Sequence, residues 1–156
     1  MKRLLTALIF ILMTSIAFAQ DFDAGWAAYR QGDYETAFEA WAALAKSGDP
    51  QSQTAIGSLY YLGLGVRHDH AEAHRLFMLA SEQGFPSALL SLGIFYADPD
   101  NDQDVVEAYK WFRLAEKKGM AEGGLRRHRL SGKMTSTQIA AAERLVLDWL
   151  DAHPGS

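Results

Sequence analysis

An all-α fold, an α-solenoid of stacked antiparallel helix hairpins closed by a C-terminal capping helix, is predicted by three features of this 156-residue chain. One register recurs three times, at spacings of 36 and then 35 residues. Within each copy the apolar positions step by four and three, the spacing that places side chains on one helical face. A glycine then closes each copy, and a proline opens the helix that follows the first two.

The register holds six columns: Asp33, Asp69 and Asp104; Ala37, Ala73 and Ala108; Trp41, Phe77 and Phe112; Ala43, Leu79 and Leu114; Leu44, Ala80 and Ala115; and Gly48, Gly84 and Gly119. Each column has a physical task. An aspartate at a helix entrance accepts hydrogen bonds from the free N–H groups of the first turn, and Asp69 with Glu72, like Asp104 with Glu107, has the spacing of a capping box. The alanine lets a neighbouring helix approach, and the glycine ends the helix in the left-handed conformation. These are the second helices of three hairpins.

Taken in chain order, residues 1–19 read as a secretory signal peptide. Lys2 and Arg3 form its charged start, Leu4 to Ile16 its apolar stretch, and Ala17-Phe18-Ala19 a small-residue site cleaved before Gln20. Residues 20–134 form the repeat domain, with units at about 22–48, 50–84 and 86–119 and a degenerate one at 121–134. The first helices are expected over Phe22–Gln31, Gln51–Tyr61 and Ser87–Tyr96. In the last two, Ile56-Gly57 with Tyr60 recurs as Leu92-Gly93 with Tyr96, a small residue against the partner helix and a ring between repeats. In the stretch Tyr61–His74, Gly63 and Gly65 permit a bend while Leu64 and Val66 tuck inward, so this segment is a turn rather than a phosphate loop. In the degenerate unit Arg127 and His128 replace the Leu-Gly pair. Residues 135–152 make the cap: Thr135 and Gln138 form a capping box, and Ile139, Ala142, Val146 and Trp149 an apolar stripe that seals the stack.

The second unit, Ile56-Gly57-Ser58-Leu59-Tyr60-Tyr61-Leu62-Gly63-Leu64-Gly65-Val66-Arg67-His68-Asp69 followed by Ala73, Phe77, Ala80 and Glu82-Gln83-Gly84, resembles a Sel-one-like repeat (SLR), a relative of the tetratricopeptide repeat. The third, with Leu92-Gly93, Tyr96, Asp104, Ala108-Tyr109-Lys110-Trp111-Phe112 and Ala115, is similar but has a changed loop. The first, Gly25-Trp26-Ala27-Ala28-Tyr29-Arg30-Gln31-Gly32-Asp33, has the shorter turn of a tetratricopeptide unit. The resemblance implies a right-handed superhelix whose first helices line the concave side, and a protein that binds other proteins.

Composition narrows the classes. Without cysteine there is neither a disulfide framework nor a lipidated N-terminal cysteine. Removal of residues 1–19 leaves 13 basic against 19 acidic residues, which disfavours nucleic-acid binding. Gln20 to Tyr109 carries 14 acids and 4 bases, whereas Lys110 to Ser156 carries 5 acids and 9 bases. No transmembrane segment is expected after signal cleavage, and the expected location is a bacterial periplasm or the exterior.

Few residues suggest chemistry. His70 and His74 stand four apart and could share a metal ion with His68 or Asp69, but Asp69 is needed as a cap and His74 falls in the packing column of Phe38 and Tyr109. Asp98, Asp100 and Asp102 imitate the start of a calcium loop, yet Gln103 stands where glycine is needed and Tyr109 where the closing glutamate belongs. GxxxxGK[ST], GxSxG, HExxH and SxxK motifs are all missing, so no enzyme, cofactor or metal is expected. What remains is surface. Leu90 and Ile94 are apolar where the aligned repeat positions are Thr54 and Ser58, and with nearby Tyr61 they suggest a strip that holds a partner peptide or helix; the alternative is that Leu90 and Ile94 pack under the fourth unit. Arg126, Arg127 and Arg129, with Lys117, Lys118 and Lys133, form a basic cluster for an acidic partner or a solvated face. The functional expectation is a protein-interaction adaptor or regulator of the cell envelope that engages a protein or peptide partner; the alternative is a periplasmic ligand- or metal-sensing regulatory subunit.

Overall fold

The computed structural model describes residues 22–101 and 103–154, and every regular element among them is a helix. The signal-peptide reading of residues 1–19 lies outside the described residues. Helix α1 runs over 22–30. It is followed by α2 (Tyr34–Lys46), α3 (Pro50–Leu62), α4 (His70–Glu82), α5 (Pro86–Ala97), α6 (Val105–Lys117), α7 (Ala121–Ser131) and α8 (Ser136–Ala152). From α2 to α7 each helix packs on the next, which is the contact pattern of a stacked α-solenoid.

The helix ends follow from the residues placed there. Asp33, Asp69 and Asp104 each accept hydrogen bonds from the first turn of α2, α4 and α6, while Pro50 and Pro86 open α3 and α5 with a φ already set for a helix. Two of the expected capping boxes are only half formed. Glu72 turns away to grip Arg75 at 2.8 and 2.6 Å, and Glu107 pairs with Lys110 at 2.6 Å, because a neighbouring cation outcompetes a lone backbone N–H for each carboxylate. The box of α8 is complete, with Thr135 and Gln138 exchanging hydrogen bonds. In the 63–66 turn, Gly65 has φ +68°, and a Cβ there would lie 2.7 Å from the Tyr34 carbonyl carbon. The glycine is required both by its own conformation and by the close approach of α2.

One packing device recurs in all three hairpins. Gly25, Gly57 and Gly93 sit under Trp41, Phe77 and Phe112, so close that an added Cβ would fall 2.3, 2.7 and 2.3 Å from the ring atoms. The first helix supplies a groove with no side chain, and the second lays an aromatic face into it. Phe77 and Phe112 are each 2% exposed, and full burial of such a side chain contributes about 3 kcal/mol. A second column of small residues, Ser52, Ala88 and Gly123, is buried near the start of α3, α5 and α7. It keeps the degenerate unit in register although the Leu-Gly pair is lost.

Among the described residues the core comprises two apolar clusters. One holds Ala37, Trp41, Ile56, Leu59 and Leu76; Leu64 and Val66 pack on its edge as expected. The other holds Phe77, Leu89, Leu92, Trp111, Phe112 and Leu114 together with Val146 and Trp149 of the cap. Tyr60 packs against both. Helix α8 rests mainly on α6, with Trp149 edge-on to Trp111 at 6.3 Å, and its end reaches α4 where His153 Nε2 meets Glu82 at 2.6 Å. This explains why one column divides: Leu114 is 1% exposed beneath the cap, whereas Leu79, one repeat earlier, is 42% exposed.

Candidate functional site: a basic pocket at the C-terminal end of the stack

Helix α7 sorts the basic cluster by helical geometry. Arg126, Arg129 and Leu130 of α7, with Lys133 just beyond its end, turn to one side, whereas Gly123 and Arg127 meet α6. The first group, with Ala97, Gln103, Val105 and Phe112, lines a pocket of about 410 Å³ between the end of α5, the start of α6 and α7. Its floor is apolar and its rim cationic. Arg126 is tied to Glu122 at 2.8 Å, while Arg129 and Lys133 have no ion pair among the described residues.

Arg127 leaves this group. Its guanidinium bonds Glu116 at 2.9 Å and lies over the Tyr109 ring at 5.5 Å, and Tyr109 in turn donates to Glu143 of α8 at 2.8 Å. Glu116 is held below the usual carboxylate range by its hydrogen bonds from Arg127 and then Arg113. The network fastens α7 and α8 to α6, so Arg127 is a positioning residue of the scaffold rather than part of an open anion-binding surface.

The strip of Tyr61, Leu90 and Ile94 does not form an exposed surface. Leu90 is 8% exposed and belongs to the core, as does its repeat equivalent Thr54, also 8% exposed, whose hydroxyl is satisfied by the Pro50 carbonyl at 2.7 Å. The position is a buried one in both repeats, and a threonine that bonds its own helix disguised it in the sequence. Ile94 is half-buried against the same core. Tyr61 stacks on His70 at 5.4 Å, and its hydroxyl donates to Asp98. Burial first, and then that bond, push the phenol well above its ordinary range.

The two ion-like motifs are also put to structural use. His74 Nε2 meets the Tyr96 hydroxyl at 2.9 Å, and burial holds its pKa below the ordinary histidine value. The His68 and His70 rings meet edge to face at 4.2 Å, and no group of three potential metal ligands comes together among the described residues. In the acidic loop, Asp98 accepts from the Asp100 N–H at 3.0 Å as well as from Tyr61, while Asn101 and Gln103 donate to the Phe95 and Ala97 carbonyls at the end of α5. The loop therefore caps a helix; Asp102 lies outside the described residues. No helix among the described residues is long and apolar enough to cross a membrane.

Comparison with known proteins agrees with this architecture. The family model for the Sel1 repeat matches residues 50–85 and again 86–120. An exopolysaccharide production negative regulator of Rhizobium meliloti is 30% identical in an alignment 147 positions long that covers 83% of this chain and 53% of that protein. Among solved structures, a protective antigen of uropathogenic Escherichia coli strains with an SLR fold superimposes with a TM-score of 0.79 at 25% identity, over 87% of this chain and 30% of that one. A Sel1 repeat protein from Oxalobacter formigenes gives 0.64 at 30% identity, over 72% and 46%. The chain thus spans about half the length of these relatives, or less. Repeats of this kind serve protein–protein interaction. Residues 50–120 thus carry two Sel1 repeats, preceded by a third hairpin built on the same glycine-under-ring device, in a fold that the solved SLR neighbours share.

Proposed function

We propose that this protein is an adaptor or regulator of the bacterial cell envelope, periplasmic or secreted once residues 1–19 are removed, that binds another protein and carries out no chemistry itself. The observation that carries this reading is the pocket between α5, α6 and α7. Arg126, Arg129 and Lys133 surround a floor that includes Val105, Phe112 and Leu130, an arrangement suited to an acidic segment that also bears apolar side chains. The charge of the chain favours the same partner, since its basic residues concentrate beyond Tyr109. The name of the Rhizobium relative, a negative regulator, supports regulation over catalysis.

The test is site-specific photocrosslinking from Lys133 in living cells, comparing the wild type with Arg126→Glu, Arg129→Glu. A discrete partner adduct that disappears in the double variant is expected. Adducts unchanged by the two reversals would overturn the pocket as the binding surface. A mature N-terminus other than Gln20, or recovery of the full chain in the cytosol, would overturn the location.

A further inference from the structure

The repeat places two grooves one unit apart, and among the described residues only one is filled. The groove between α4 and α6 is lined by Met78, Glu82, Leu89, Leu92, Trp111 and Leu114, and α8 closes it: Trp149 lies on Trp111 and joins these apolar side chains in one cluster, while His153 meets Glu82. Stepping back 36 residues on α4 and α5, and 35 on α6, gives Ala42, Lys46, Gln53, Ile56, Leu76 and Leu79. Those six residues line an open pocket of about 280 Å³ between α2 and α4. The rims correspond as well, since Glu72 with Arg75 repeats Glu107 with Lys110 as a salt bridge three residues apart. The difference lies in what covers them: Leu114 is 1% exposed and Leu79 is 42% exposed.

We infer that the groove between α2 and α4 docks an amphipathic helix of a partner protein, with an aromatic anchor and a carboxylate four residues after it. The filled groove is continuous with the open one, because α4 forms a wall of both, and it shows what such a surface accepts: a helix that lays Trp149 on the floor and sends the residue four positions on, His153, to the groove's end. Charge then selects the partner. Where the filled groove presents Glu82 to a histidine, the open one presents Lys46, so the matching residue on the incoming helix is acidic. The site stands apart from the pocket beside α7 and does not depend on it.

The probe is a synthetic peptide with the sequence of residues 136–153 in which the last position is His153→Glu, titrated against the full chain by fluorescence anisotropy. Micromolar binding is expected, roughly three- to fivefold weaker for the peptide that keeps His153, and lost for the peptide with Trp149→Ala. In the protein, Leu79→Asp abolishes binding and Lys46→Glu reverses the preference between the two peptides. Lys46 is exposed, so that variant tests the site even if Leu79→Asp perturbs folding. Binding indifferent to Lys46→Glu means the peptide displaces α8 from its own groove and overturns the inference. So does no binding at millimolar peptide, or a dimer of the chain that Leu79→Asp disrupts, which would make a second copy the occupant. Arg126→Glu, Arg129→Glu leaves the titration unchanged, so the failure of either site is read separately.

Discussion

At Gly93 the fit between helices is decided by a missing methyl group. A Cβ would lie 2.3 Å from Phe112 Cδ1, and Phe112 is almost wholly buried, so Gly93→Ala is expected to destabilise the protein by about 1–3 kcal/mol, measured by urea unfolding. Pairing it with Phe112→Leu recovers part of that loss. The indole nitrogens of Trp111 and Trp149 are buried without acceptors among the described residues. Trp149→Phe therefore removes an unsatisfied donor along with some contact area and is expected to cost under about 1.5 kcal/mol, against about 3–5 for Trp149→Ala. Gly57 and Gly93 were legible in the sequence as points of close helix approach because they recur with their tyrosines, whereas the phenylalanine rings above them belong to other helices and were not. Leu90 was not, because a threonine whose hydroxyl bonds its own helix looks like a surface residue when only the sequence is read.

Helix boundaries were legible wherever a strong local signal stood alone, as with Asp33, Pro50, Pro86 and Thr135. Competition hid the rest: Glu72 and Glu107 have capping-box spacing, but Arg75 and Lys110 lie one turn onward and take the carboxylates. Thr135→Ala should cost about 1 kcal/mol through loss of the completed box, seen as a lower melting temperature. The end of α8 is sensitive to pH. His153 has its pKa raised above 6.5, chiefly by the hydrogen bond to Glu82. A raised folded value means that the latch contributes fully below the unfolded histidine value, while Glu82 remains ionised, and is lost as pH rises through the folded one. Glu82 is half exposed, so the contribution is under about 1 kcal/mol. The difference in melting temperature between wild type and His153→Gln should be greatest in mildly acidic buffer and shrink at alkaline pH.

The solenoid as a whole was predicted from a period of 36 and 35 residues, since a hairpin that cannot bury its own apolar face must stack on a copy of itself. The candidate site was only half legible: Arg126 and Arg129 were found as charges, but the floor of Ala97, Val105 and Phe112 comes from two other helices and leaves no mark in local sequence. Ending the chain after residue 134 would uncover Trp111 and Leu114, and loss of a cooperative melting transition is the expected outcome by circular dichroism. Apart from the cap, helices from α2 onward touch mainly the elements beside them in sequence, which has a kinetic corollary. Such a chain closes its hairpins without waiting for distant segments, so refolding from denaturant should finish within about milliseconds. The slowest event is then the seating of the indole and imidazole at the tail, whose link to Glu82 spans 71 residues. Stopped-flow tryptophan emission would register it as a final, separate rise.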